Sequence, residues 1–474
     1  MPFLSRLRRP GTRKAGAVAL TVALAVLMAA CGQNHPDSIF HHRTENNREV
    51  EFLFKILIYA GTAVFIFVEG ILILTLIKYR QRPGQPEPEH VHGNTTLEIA
   101  WTVIPLVILI IIGIPTVRTI FRTQAKARSD ALQVEVIGHQ WWWEFRYPQY
   151  TVAGTGGRVD TVVTANELYL PIGRTVNFSL KSKDVIHSFW VPALAGKRDV
   201  VTNHTNYLWY TPDSATMNAW NGACVEYCGT SHANMRFKTF TVSQADFDSW
   251  IAHQESSAEG SAPAAVPTVG APGTQGQAQV PGTVVPPGAQ PNPVKNLAAG
   301  ATQAGPTGTG LAKPGVGVPP TAPAAPVTQA GFIAFPKEQL PAYAVPQTPL
   351  PAKLSFNDAL LATGNAGNGA TLVSRGICIA CHTIRGVPGM VATVGPNLTH
   401  LGSRTTIGAG LYPNDPQHLA RWVKNAPAMK SGIIMPALGA GEYDPVTLKG
   451  PVPAQGGLTD QQIADIVAYL SSLK

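Results

Sequence analysis

The spacing of apolar residues changes along this sequence, and each change marks a different kind of element. Residues 56–77 and 99–117 are almost unbroken apolar runs. Each has about the 20-residue length that a helix needs to cross a hydrocarbon core. Between residues 131 and 251 the runs shorten and alternate. Residues 133–137, 167–170, 175–180, 207–210 and 236–242 read as strands bounded by Gly, Pro, Asn or Asp, which predicts a small β-sandwich or barrel. Residues 255–347 then become Ala, Pro, Gly, Thr, Val and Gln with few charges, a composition that cannot bury a core and reads as a long tether. Order returns near Phe356 and ends in helical spacing, with Ile463, Ile466, Val467 and Leu470 on one face of a helix over 459–473 capped by Thr459. The pattern divides the chain into a signal segment (1–30), a transmembrane hairpin (45–125), an all-β domain (130–253), a linker (255–347) and a helical domain (355–474).

Charge sharpens the N-terminal reading. Arg6, Arg8, Arg9, Arg13 and Lys14 precede an apolar stretch over 15–30, as in an export signal. It ends in Met28-Ala29-Ala30-Cys31, which resembles a bacterial lipoprotein cleavage site with Cys31 as the lipid acceptor; plain cleavage or a retained anchor is the alternative. Lys78, Arg80 and Arg82 follow the first apolar run and mark the loop between the two spans as cytoplasmic. Everything after Val117 then lies on the outer face of a bacterial cell membrane. The formal charge of +8 is accounted for largely by such flanks. No basic run is interleaved with aromatics in a folded segment, so a nucleic-acid partner is not expected.

The five cysteines are Cys31 alone, the pair Cys224 and Cys228, and the pair Cys378 and Cys381. A disulfide scaffold scatters its cysteines through a small domain, whereas each tight pair here sits beside a histidine and points to metal or haem chemistry. Cys224-Val-Glu-Tyr-Cys228-Gly-Thr-Ser-His232-Ala-Asn-Met235 gathers two thiols, an imidazole and a thioether, a donor set suited to copper. Two copper ions bridged by two sulfurs need a second imidazole, and His187, at the end of a strand-like run, is the candidate. A zinc or disulfide loop is the alternative.

Both segments resemble subunit II of cytochrome c oxidases, in which a binuclear copper centre sits in a cupredoxin domain behind a two-helix anchor. The resemblance covers roughly residues 45–250. It implies that Cys224 and Cys228 bridge the coppers, that His187 and His232 bind one each, that Met235 is a weak ligand, and that the Glu226 carbonyl completes the set. The Glu226 side chain matches the family's ligand to a magnesium ion at the boundary with subunit I. Val225 is bulkier than expected there but supplies no ligand. Trp141 matches the family's electron-entry residue. Independently, Trp141, Trp142 and Trp143 cannot all face one side of a strand, so at least one meets solvent or a partner; Trp142 and Trp143 read as core or membrane-interface residues. Glu98 matches a glutamate at the mouth of a proton path, against a plain helix-start carboxylate. Glu69 is costly inside a membrane unless it faces protein or water.

Cys378-Ile-Ala-Cys381-His382 is the pattern for covalent haem c, with two thioether attachments and a proximal imidazole. Met435, in Gly432-Ile-Ile-Met-Pro, resembles the Met-Pro loop of class I cytochromes c and is the preferred second axial ligand over Met429 and Met390. Gly395-Pro396-Asn397-Leu398 resembles the loop beneath the proximal histidine. Taken together the chain resembles the fused subunit II of caa3-type oxidases, a respiratory-chain oxidoreductase and translocase. That implies electrons passing from an external donor (a quinol-cytochrome c reductase or a soluble cytochrome c) to haem c, then to the coppers, then to subunit I beside subunit III. Oxygen reduction and proton translocation fall to the partner, since the histidine-rich membrane helices they need are missing. Nitrous oxide reduction would need a second, histidine-rich copper cluster that the 13 histidines do not form. A quinol-oxidase-type adaptor would have lost the copper ligands.

Overall fold

The computed structural model describes residue 22 and residues 38–40, 43–85, 92–124, 130–153, 159–213, 217–258 and 331–474. The signal segment apart from residue 22, Cys31 and most of the linker lie outside the described residues. Two helices carry the apolar runs: α1 (Glu45–Lys78) and α2 (Thr95–Gln124), each long and apolar enough to span a membrane. Both extend beyond the runs, and α1 begins well before residue 56 because its first turn belongs to the β domain. Thr44 caps it by accepting from the Asn47 amide at 3.1 Å, and the Thr44 hydroxyl donates to Leu194 O. Asn46 donates to Trp209 O at 2.6 Å, Asn47 to Pro192 O and Ala193 O at 3.1 Å, and Arg48 pairs with Asp213 at 2.7 Å. These polar residues would be misplaced in lipid; Thr44, Asn46 and Asn47, buried against backbone carbonyls, fix the hairpin to the β domain with the exposed Arg48–Asp213 pair beside them.

Among the described residues, ten strands form that domain: β1 (Leu132–His139), β2 (Trp142–Ala153), β3 (Val159–Ala165), β4 (Glu167–Pro171), β5 (Val176–Ser182), β6 (His187–Trp190), β7 (Arg198–Val200), β8 (Asn206–Tyr210), β9 (Asn218–Cys224) and β10 (Arg236–Val242). They make two five-stranded sheets ordered β3-β2-β1-β5-β8 and β4-β10-β9-β6-β7, with β1 parallel to β5 and β4 parallel to β10. Alternation along β2 turns Trp143, Phe145 and Tyr147 inward, where they meet Phe189, Phe237 and Trp250 between the sheets. Helix α3 (Gln244–Glu255), capped by Ser243, closes one end by burying Phe247, Trp250 and Ile251. The result is a cupredoxin-like sandwich behind a two-helix anchor.

Beyond the linker the chain returns to this sandwich before it builds the next domain. Phe332 and Phe335 are buried in the β-domain core, Phe335 stacks on Phe240 at 4.9 Å, and the Phe335 amide donates to the Tyr169 hydroxyl at 3.0 Å. Tyr343 donates to Ala219 O at 2.8 Å. The stretch expected to remain tether up to 347 is therefore packed from 332 onward, because two phenylalanines interrupt its low-complexity composition.

Helices α4 (Ala366–Arg375), α5 (Pro416–Lys424), α6 (Ala426–Met429) and α7 (Asp460–Ser472) form the helical domain. The α7 face predicted from spacing is buried, and Thr459 with Gln462 makes a full capping box. Asp465, on α7, accepts from the Asn365 amide at 2.8 Å at the start of α4, which locks the first and last helices together. This domain is clasped to the sandwich. Arg385 Nη1 donates to the carbonyls of Gln254 (2.8 Å), Glu255 (3.2 Å) and Ser256 (2.9 Å), placing a cation on the negative end of α3. The buried Glu167 carboxylate accepts from the Thr405 amide (2.7 Å), the Thr405 hydroxyl (2.6 Å) and the Thr406 amide (3.2 Å).

Candidate copper and haem sites

The loop from Cys224 to Met235 joins β9 to β10 and is closed by the Cys224 amide donating to Met235 O at 2.9 Å. His187 opens β6, the neighbour of β9, so sheet pairing brings it to the loop. Every side chain expected to bind copper converges here. The sulfurs of Cys224 and Cys228 are 3.7 Å apart. His187 Nδ1 is 3.8 Å from the Cys224 sulfur and His232 Nδ1 is 3.6 Å from that of Cys228. Met235 Sδ lies 3.8 Å from the Cys228 sulfur, and Glu226 O 3.3 Å from that of Cys224. Both cysteines are free thiols, and His187, Cys224, Cys228 and Met235 are buried. Two thiols, two imidazoles, a thioether and a carbonyl around one point fit two soft metal ions and match neither a disulfide nor a four-ligand zinc site.

Asp184 orders this site. Its Oδ1 accepts from His187 Nε2 at 2.7 Å, which leaves Nδ1 to face the thiols, and its Oδ2 accepts from the Gln140 amide at 2.7 Å. Burial works against a charged His187, yet the Asp184 carboxylate and the Cys224 sulfur together outweigh it and raise the imidazole's pKa. The hydrogen bond from Cys228 holds the Cys224 thiol low, and its thiolate in turn pushes Cys228 up, because two buried thiolates this close repel. Since a partner that orients a metal-bound histidine is worth about 10–100-fold in metal affinity, Asp184→Ala should weaken copper retention by that factor in titrations against a chelator. Retention equal to the unaltered chain would remove Asp184 from the site.

Gln140 and Trp141 bind the same loop: Gln140 Nε2 and the Trp141 indole N–H both donate to Cys228 O, at 2.7 and 2.9 Å. Trp141 is only 9% exposed, because the helical domain covers it. The partner that the tryptophan run required is thus another part of this chain. Trp143 is core, as expected, but Trp142 is half-buried, stacked on His139 at 4.1 Å, and lines a cavity at the domain boundary.

That cavity is the candidate haem site. Cys378 and Cys381 lie on a short helical turn after α4, and the amides of Cys381 and His382 fold back to Cys378 O at 3.2 and 3.0 Å. His382 Nδ1 donates to Pro396 O at 2.8 Å, leaving Nε2 toward the cavity. A Cβ on Gly395 would stand 2.6 Å from the His382 ring, so the Gly-Pro loop beneath the imidazole has to begin with glycine. Burial lowers the His382 pKa, which favours the neutral imidazole a ligand needs. Cys378, Cys381, His382 and Met435 line the apolar cavity, and Trp141 and Trp142 close it from the copper side. The arrangement fits a covalent c-type haem. Met429 and Met390 are instead buried in the domain core.

The remaining candidates lie apart. Glu98 sits on the first turn of α2, where Asn94 Oδ1 accepts from the Thr96 and Leu97 amides at 3.1 and 3.2 Å. Glu69 lies within α1, half-buried. The Glu226 side chain is exposed. Sequence reasoning missed Asp184, Gln140, Arg385, Glu167 and Lys430. Asp184, three residues before His187, carried a readable signal as an orienting carboxylate; Gln140 binds the copper loop within its own domain, and Arg385, Glu167 and Lys430 act across a domain boundary.

Residues 132–242 match the family described as cytochrome c oxidase subunit II, periplasmic domain, and residues 22–119 match its transmembrane domain. Residues 366–474 match the cytochrome c family. The cytochrome c oxidase subunit 2 of Alkalihalophilus pseudofirmus is 37% identical over 205 residues, 42% of this chain and 56% of that protein. That of Bacillus sp. (strain PS3) is 39% identical over 186 residues, 36% of this chain and 49% of that protein, so the match spans about half the length of these relatives. The periplasmic domain of the oxidase subunit II of Bradyrhizobium japonicum aligns at 27% identity and a TM-score of 0.23, covering 28% of this chain and 97% of that one. A probable cytochrome c oxidase subunit 2 from Rickettsia bellii is 35% identical over 211 residues, 41% of this chain and 76% of that protein. With that coverage, and with both subunit II domains matched in order, the chain belongs to the cytochrome c oxidase subunit II family.

Proposed function

We propose that the chain is the electron-transfer subunit of a membrane-bound terminal oxidase, relaying electrons from a cytochrome c domain of its own to a copper centre and on to an oxygen-reducing partner. The observation that carries this reading is the position of Trp141. Its indole donates to Cys228 O at 2.9 Å and also walls the cavity that holds His382 and Met435. When bound, the coppers and the haem supply two one-electron relays that change little in shape. His187, Cys224, Cys228, His232, Met235 and Glu226 O hold the first, and Cys378, Cys381, His382 and Met435 the second. Residues of the sandwich and the helical domain jointly exclude water from the gap.

Several further assignments belong to the same proposal. The hairpin anchors both soluble domains on the outer face of a bacterial membrane. Subunit I and subunit III sit against it, with the exposed Glu226 carboxylate available to a magnesium ion at the subunit I boundary. Glu98 stands at the mouth of a proton path, and Cys31 accepts lipid. The external donor, a cytochrome c or its reductase, delivers electrons to the helical domain, since Trp141 is covered.

Anaerobic titration of the purified full chain with a substoichiometric reductant tests the relay. The haem absorption should rise first and then fall as the copper band bleaches, and Cys381→Ser should slow copper reduction. Copper reduction at an undiminished rate in Cys381→Ser would overturn the order.

A further inference from the structure

Lys430 follows α6 in the helical domain and is 3% exposed. A lysine is rarely buried this deeply without a carboxylate, because stripping water from an ammonium is costly. Here its Nζ donates to two carbonyls, Trp141 O across the domain boundary at 2.6 Å and Gly408 O at 3.3 Å. An apolar side chain would fill the same space at lower cost, so the charge itself needs a reason.

The neighbourhood supplies one. The Trp141 indole is gripped on two faces by backbone that has no room for a side chain. A Cβ on Gly229, in the copper loop, would stand 3.0 Å from its Cζ2, and one on Gly432, in the Met435 loop, 3.2 Å from its Cη2 and Cζ3. Both glycines have positive φ, +113° and +83°. The ring is thus a spacer between the two loops, with its N–H fixed on Cys228 O. Its backbone carbonyl is held from the opposite domain.

We propose that Lys430 is a positioning residue for electron transfer: its ammonium pins the Trp141 carbonyl so that the indole stays bridged between the copper loop and the Met435 loop. Resting on the relay proposed above, this makes the contact between the domains part of the electron path rather than a simple docking surface. Burial pushes the Lys430 pKa down to about 7, while the copper loop at Cys228 works to raise it and Arg236 opposes that. A positive charge within electrostatic reach of Cys228 also favours the electron-richer, reduced copper site.

The test compares Lys430→Met with Arg385→Met, which loosens the clasp at α3 without touching Trp141. In the copper-free full chain, with the Trp141 indole N–H resonance assigned by Trp141→Phe, Lys430→Met should speed indole hydrogen exchange about tenfold or more, roughly the loss of one hydrogen bond to a charged group. Arg385→Met should stay within about twofold of the unaltered chain. In the loaded chain, Lys430→Met should slow haem-to-copper transfer about tenfold and lower the copper midpoint potential. Gly432→Ala, which wedges the ring from the other side, should reproduce the exchange and rate effects with the copper potential unchanged. Indole exchange unaffected by Lys430→Met, or equally raised by Arg385→Met, would overturn the positioning role. Absence of haem-to-copper transfer in the unaltered chain would instead sink the relay, while the exchange comparison still judges Lys430.

Discussion

Cys228→Ser is expected to remove the copper centre while leaving the haem in place. The Cys228 sulfur is the hub of the donor set, within 3.6–3.8 Å of the Cys224 sulfur, His232 Nδ1 and Met235 Sδ. A hydroxyl in its place is a hard and poorly ionised donor that cannot bridge two soft ions. Partners one shell further out are worth about 10–100-fold in metal affinity, so loss of a bridging ligand should exceed about 100-fold. The mixed-valence two-copper resonance should vanish, bound copper should fall below two per chain, and oxygen consumption by the assembled oxidase should drop to background. Folding should survive, because serine is smaller and Gln140 and Trp141 bind the Cys228 backbone rather than its sulfur. Haem absorbance serves as the internal control, since Cys378 and Cys381 sit on a separate domain. A persistent binuclear resonance in Cys228→Ser would end the bridging assignment.

Much of this molecule could be read along the chain, because most of its chemistry is local. Cys224, Cys228, His232 and Met235 are consecutive donors of one hairpin loop, and Cys378, Cys381 and His382 of one turn, so ligand identity and spacing were visible together. Strands such as β4 and β10 follow from alternation, and α7 from its apolar face and Thr459 cap. Strands β3, β7 and β9 were not anticipated; β7 is short, and Asn and Gly in β9 obscure its pattern.

The larger gap concerns the domains' relation to each other. Composition suggested a tether that leaves the cytochrome domain free to rearrange. Yet Phe332 and Phe335 return to the β core, and Arg385, Glu167 and Lys430 meet partners more than a hundred residues away. No sequence period encodes such pairings. Arg385, Glu167 and Lys430 each read locally as an ordinary surface charge, and only the opposing domain reveals them as anchors. Trp141 shows the same thing from the other side: alternation demanded that one tryptophan of the run find a partner, but could not say that this chain supplies it.

The axial ligand gives the other large expected effect. Met435→His should replace methionine–iron ligation by a two-histidine haem, abolishing the methionine-to-iron charge-transfer band and lowering the haem potential on the order of 0.1 V, since methionine ligation raises it. At about 59 mV per tenfold for one electron, that favours electron flow from haem to copper by roughly fiftyfold and disfavours reduction of the haem by its external donor equally. Turnover should therefore fall at electron entry while the internal transfer remains fast, a split that a collapsed domain would not give. Met429→His should behave differently. Met429 is 6% exposed within the helical core and lies off the cavity wall that Met435 joins. A histidine there buries a polar ring among apolar neighbours and destabilises the domain by about 1–3 kcal/mol, with the haem spectrum unchanged. Redox titration and thermal unfolding of the two variants separate ligand from core. A spectral change confined to Met429→His would move the axial bond off Met435 and, with it, the contact between Gly432 and Trp141 out of the electron path.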